Sequence, residues 1–146
     1  MSNSILLILV AAFGGVAIAI QAQMMALLDK GIGTIESVFI TYGGGGLLIG
    51  LVMLAMRGGN LSVWSSIPLY AMFAGIVGLL IVGSIGFSTP RLGLVTTFTV
   101  MISLQFIAGA FIDHYALLGA ELRQLTLSRM IGIAIILLGV WIVIRK

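Results

Sequence analysis

Residues 92–115 read LGLVTTFTVMISLQFIAGAFIDHY. Up to Ile112 the side chains are apolar, small or hydroxylic, except for Gln105 near the middle, and the stretch closes on Asp113-His114-Tyr115. A run of this length and polarity predicts a helix that crosses a hydrocarbon core about 30 Å thick. A carboxamide moved from water into hydrocarbon without partners costs about 2–7 kcal/mol. Gln105 is therefore expected to face protein or a wet cavity rather than lipid.

The rest of the chain is built from segments of the same kind. Of its 146 residues 61% are hydrophobic and 8% charged, with a mean hydropathy of +1.30. Soluble domains carry about 25% charged residues, so this chain has too few to cover itself with a water-compatible surface. The lipid bilayer is its expected partner on all sides. The net charge of +3 comes from dispersed residues, and without a basic cluster no nucleic acid partner is expected. The chain has no cysteine and one histidine. No metal-ligand spacing, phosphate loop or nucleophile with a base is present, so neither an enzyme nor a cofactor or metal site is expected.

Five apolar segments predict an all-α, polytopic membrane protein with five transmembrane helices in a single domain, 1–146. They run over about 4–28, 33–56, 66–87, 92–112 and 127–144. The first lacks a basic leading region and is long enough to span, so it reads as a retained helix. Asp29-Lys30-Gly31 and Arg57-Gly58-Gly59-Asn60 end the first two segments, and Pro68 is placed in the first turn of the third. Ser88-Thr89-Pro90-Arg91 is expected to break the chain before the fourth.

An odd number of spans puts the termini on opposite faces. Arg57, Arg123 and Arg129 then share the N-terminal face, while Lys30, Arg91, Arg145 and Lys146 lie on the other. Positive charge normally sets orientation, and here it is nearly balanced. Two readings follow: one topology fixed by another feature, or insertion both ways with an antiparallel homodimer. Such a dimer would be an inverted repeat assembled from two copies.

The glycines Gly43, Gly44, Gly45 and Gly46, with Gly50 one turn further on, give the second segment a smooth face. Close helix packing and a hinge beside a substrate path are both open readings. Polar groups inside the spans include Gln21 in the first segment, Glu36 and Tyr42 in the second, and Thr97 and Gln105 in the fourth. Thr97, Met101 and Gln105 are spaced i, i+4, i+8 and share a helix face that suits an organic molecule; an interhelical hydrogen bond is the plainer reading. Glu36 is a candidate proton carrier, or a first-turn acid favoured by the helix dipole behind a Thr34 cap. Asp113 lies at a helix C-terminus, where the dipole disfavours an acid, so it needs a cation. His114 or Arg123 is the expected partner, in an interfacial ion pair or a gate.

Arg91-Leu92-Gly93, Thr96-Thr97, Leu104 to Gly109, Asp113-His114-Tyr115, Leu117-Leu118-Gly119, Leu125 to Arg129 and Gly132 to Gly139 follow in order. With the Gly15 to Gln21 spacing, this pattern resembles the small five-helix inner membrane exporters of the drug/metabolite transporter superfamily, across essentially the whole chain. The resemblance implies a half-size, multi-pass transporter of the bacterial inner membrane. It would work as an antiparallel dimer or as a heterodimer with a homologous chain, by alternating access. It also implies that Gln21 and Gln105 lie at a midplane cavity. The related four-helix small multidrug resistance proteins use a glutamate in the first helix for proton-coupled export of cations. This chain has Gln21 and no acid within that segment, which favours a neutral or zwitterionic small molecule unless Glu36 carries the proton. The expected solute contacts are Gln21, Gln105, Thr97 and Tyr42. A nontransporting subunit that scaffolds a larger complex is the alternative.

Overall fold

The structure is a computed structural model that describes residues 2–145. It is all-α, with five helices long and apolar enough to cross a membrane. These are α1 (Ser2–Ile32), α2 (Thr34–Ala55), α3 (Ala74–Leu92), α4 (Leu94–His114) and α5 (Leu127–Ile144). The chain divides into two compact units, residues 1–91 and 92–146. Large apolar side chains such as Phe13, Ile35, Phe39 and Leu54 point outward, as a hydrocarbon surround requires. Backbone groups in that surround must be satisfied within the spanning structure itself, as they are in helices.

Two glycines punctuate the helices. Gly33 adopts φ +103° and alone separates α1 from α2, and Gly93 adopts φ +84° between α3 and α4. A side chain at such angles is strained, so the turn falls where glycine stands. This moves two expected boundaries. α1 runs through Asp29-Lys30-Gly31 to Ile32, and α3 runs through Ser88-Thr89-Pro90-Arg91 to Leu92. A proline in the last turn removes only one helical hydrogen bond, too little to break a helix held on both sides. At its other end α3 begins later than the apolar pattern suggests. Pro68 holds Ile67 extended (φ −92°, ψ 137°), and two short 3-10 turns, Leu61–Ser66 and Leu69–Phe73, precede the helix.

In the first unit, α2 runs antiparallel to both α1 and α3. Its core lies where the end of α1 meets the start of α2 and the end of α3: Ala22, Met25, Ala26, Ser37, Ile85 and Thr89 are buried. The Ser37 hydroxyl donates to the Met25 carbonyl at 3.2 Å. A methyl group at Gly86 would stand 3.1 Å from Met25 Cε, and one at Gly83 3.8 Å from Val38. At Gly78 it would collide with the Tyr42 hydroxyl. The small residues of α3 are thus the surface on which α2 lies.

A polar clasp closes the same end. The Asp29 carboxylate accepts from the Thr34 hydroxyl and pairs with Arg91 at 3.1 Å. One acid therefore ties the ends of α1 and α3 to the first turn of α2. The Asp29 side chain is 6% exposed. Arg91 also donates to the Phe87 carbonyl and lies over the Phe87 ring at 3.8 Å.

In the second unit, α4 and α5 form a hairpin whose loop folds back on the end of α4. The Arg123 amide donates to the Asp113 carbonyl at 2.9 Å, and the Leu125 amide to His114 Nδ1 at 3.3 Å. The Thr126 hydroxyl caps α5 by accepting from the Arg129 amide.

The clasp and the glycine surface each give an expected outcome. Asp29→Asn is expected to lower the unfolding free energy in mixed micelles by about 1.5–3 kcal/mol, the range for a lost charged hydrogen bond. Arg123→Gln, which removes only the exposed pair to Glu121, should cost less than about 1 kcal/mol. Equal effects would show that the clasp carries no special weight. Gly78→Ala should lower the melting temperature in detergent by several degrees, while Gly83→Ala leaves it unchanged or raises it. Adding Tyr42→Phe to Gly78→Ala removes the colliding hydroxyl and should restore most of the loss. A double variant no better than Gly78→Ala would contradict this packing.

Candidate functional site

Two of the expected solute contacts meet in the first unit. Gln21 of α1 and Tyr42 of α2 line one groove of about 380 Å³, with Thr41, Gly45, Gly46 and Val82. A second groove of about 420 Å³ runs along the other side of Gln21, past Met24, Met25, Leu28 and Ile40. The first lies about one turn from the buried Met25, Ser37 and Gly86, and the second runs over Met25 itself to Leu28. Tyr42 is held there because its hydroxyl rests on bare backbone at Gly78. Thr41 is already engaged, donating to the Ser37 carbonyl at 2.8 Å.

The other two contacts lie in the second unit and part company. Gln105 is exposed and lines a groove of about 370 Å³ between α4 and α5, with Phe106, Gly109, Asp113, Arg129 and Ile133 among its walls. Thr97 is buried, and its hydroxyl has no hydrogen-bond partner among the described residues. Eight helical residues turn the chain by about 80° beyond two full turns. The face that the i, i+4, i+8 spacing groups together is therefore already divided at Gln105, and from there the groove continues along Gly109 and Asp113.

Neither glutamine takes part in the side-chain hydrogen bonds of the described residues. Those bonds involve Asp29, Thr34, Ser37 and Arg91 in the first unit, His114, Arg123 and Thr126 in the second, and hydroxyls that bond back to a carbonyl of their own helix. Within one chain, then, the carboxamides do not brace helices against one another. They stand open on grooves whose size falls in the range of small-molecule sites.

Glu36 lies apart from these grooves. It is exposed in the first turn of α2, with its carboxylate folded over Gly33, where the dipole favours it. The residue capping α2 is Gly33, not Thr34, whose hydroxyl is turned to Asp29. Asp113 has a cation, but a different one from those its sequence neighbours suggest. Arg129 reaches it at 3.9 Å, whereas Arg123 turns to Glu121 at 3.2 Å. His114 fastens the loop with Nδ1, which must be unprotonated to accept the Leu125 amide. Gly43 to Gly46 and Gly50 form an unbroken part of α2, and a methyl group at any of them would meet nothing in the chain. No break in the helix accompanies the four glycines.

Sequence reasoning missed Asp29 and Arg129. The signal for Asp29 was present: it too is an acid at a helix C-terminus, and the dipole argument applied to Asp113 holds equally there. Arg129 enters the sequence reading only as a charge of the N-terminal face; it lies within the fifth segment, and the partners considered for Asp113 stop at His114 and Arg123.

No functionally curated protein and no solved structure shows significant similarity to this chain. One family does. The sequence profile described as "Putative inner membrane exporter, YdcZ" matches residues 6–142, nearly the whole chain and all five helices. The protein thus belongs to the YdcZ family of drug/metabolite-type inner membrane exporters, as a multi-pass protein of that membrane.

Proposed function

We propose that this chain is one half of an exporter that moves a small organic solute across the inner membrane by alternating access, working as an antiparallel homodimer. The observation that carries this reading is the pair of unpartnered carboxamides, Gln21 and Gln105, each open on a groove in a helix otherwise made for lipid. In a membrane such groups belong to an interface or a pathway. Gln21 and Tyr42 contact the solute in the groove of the first unit, and Gln105 contacts it in the α4–α5 groove of the second. Thr97, in the second unit, contacts it when its buried hydroxyl gains a partner.

The bare face of α2 supports the dimer. Gly43 and Gly50 let a second backbone approach closely, and a methyl group at either would meet nothing among the described residues. The nearly even split of loop charge allows insertion both ways. Glu36, at the start of α2 and wetted by headgroups, is the proton carrier if export is coupled to the proton gradient.

The test is flux through proteoliposomes offered labelled amino acids, polyamines and quaternary cations, with assembly followed in parallel by size-exclusion chromatography. Gln21→Ala and Gln105→Ala are expected to cut flux of the transported solute at least tenfold while the dimer stays intact. Glu36→Gln should abolish stimulation by a pH gradient and leave exchange in place. Loss of assembly with unchanged flux in the surviving dimer would make the glutamines structural braces. A wild-type protein that moves nothing would point to a nontransporting subunit.

A further inference from the structure

The groove between α4 and α5 contains a feature that solute contact at Gln105 does not require. Its outer end is formed by an acid and a base, Asp113 and Arg129, with the carboxamide about 12 Å deeper along α4. Asp113 Oδ2 and the nearest Arg129 nitrogen are 3.9 Å apart, beyond the 2.7–3.2 Å or so of a formed N–H···O hydrogen bond. The side chains are 39% and 44% exposed.

The clasp in the first unit shows what a structural ion pair looks like in this protein. There Asp29 and Arg91 touch at 3.1 Å, the acid is 6% exposed, and a hydroxyl takes up a further lone pair. Asp113 and Arg129 have none of this. They face each other loosely, each with most of its hydrogen-bonding capacity unspent, at the mouth of a groove walled by Phe106, Ile133 and Ile136. The neighbouring charges do not compete for them, since Arg123 is held by Glu121 and His114 by the loop amide.

We infer that this groove binds a small zwitterion with an apolar body, of the α-amino acid type, its ammonium on Asp113 and its carboxylate on Arg129. This rests on the transport reading above and names the class of its solute. An α-amino acid carries opposite charges across a single carbon, close enough to meet both partners at once. Arg129 can present two parallel N–H groups to a carboxylate, and Asp113 can accept from an ammonium. The apolar side chain then lies along Phe106 and Ile133 toward Gln105. A solute with only one charge satisfies one partner and leaves the other facing the groove without a counter-charge. The pair therefore selects against simple amines and simple acids. Gly109 and Gly132 leave the floor open, since a methyl group at either would meet nothing.

The experiment is equilibrium binding of labelled L-leucine and L-phenylalanine to the purified full chain in nanodiscs. Isopentylamine and 4-methylpentanoate, the leucine skeleton with one charge each, serve as competitors. The zwitterions are expected to bind at least tenfold more tightly than either competitor. Asp113→Asn should erase the advantage over the acid, and Arg129→Gln the advantage over the amine. Gly109→Leu, which fills the groove without touching the charges, should abolish binding with the melting temperature unchanged. The inference fails if single-charge analogues bind as well as the zwitterions. It fails equally if neither zwitterion binds, or if both charge variants lower the melting temperature and leave the relative affinities alone, which would make the pair a hairpin brace. Cross-linking of Gly109→Cys between copies, with no zwitterion bound, would assign the groove to a second chain and also overturn it. Vesicle flux separates the two levels: movement of a singly charged solute sinks the zwitterion and keeps the exporter, whereas no flux of any solute sinks both.

Discussion

In hydrocarbon every backbone N–H and C=O must find its partner inside the chain, and this constraint decides most of what the protein is. It makes every span a helix, and it confines the turns to short stretches at the ends of those helices. The junction between α1 and α2 is a single residue, Gly33, and Gly93 plays the same part before α4. Because the helices satisfy their own backbones, polar side chains in the spans are free for other uses. The hydroxyls of Thr41, Ser84, Thr99 and Ser103 return to the carbonyl one turn back. Gln21 and Gln105 make no side-chain hydrogen bond among the described residues, and each lines a groove.

Two of the ion pairs are built differently. Asp29, Arg91 and Thr34 form a closed clasp at one end of the first unit, above a core of Met25, Ser37 and Gly86. Rigid packing at that end leaves the space around Gln21 and Tyr42 defined rather than collapsed, with Gly78 fixing the position of the tyrosine. Asp113 and Arg129 keep their distance at the mouth of the α4–α5 groove. An ion pair satisfied on all sides holds helices together. One left loose in a groove offers its charges to something that arrives.

The fold was legible because lipid-spanning helices announce themselves by length and composition. All five segments, and the apolar surround they imply, follow from hydropathy alone. Their ends were harder. Ser88-Thr89-Pro90-Arg91 reads as a breaker, yet the helix passes through it, because a proline in a last turn costs little and Gly93 lies just beyond. Pro68 reads as a tolerated first-turn residue, yet it delays α3 to Ala74 by holding Ile67 extended. The site was legible in its residue types and less so in its grouping. Gln21, Tyr42 and Gln105 stand out by polarity within a span, but that Gln21 and Tyr42 share one groove and Gln105 lines another is seen only in the structure. The burial of Thr97 and the pairing of Asp113 with Arg129 depend on how helices rotate against their neighbours. A spacing rule over eight residues blurs that rotation.

The central claim is that two copies inserted in opposite orientations make one pathway. The most direct measurement is orientation. A single cysteine in place of the exposed Asn60, in a chain with no other cysteine, is labelled with a membrane-impermeant maleimide. Labelling is compared between intact spheroplasts and inside-out vesicles. Roughly equal labelling of the two preparations is the result this account predicts. Labelling confined to one of them would place every copy the same way round and contradict the antiparallel homodimer.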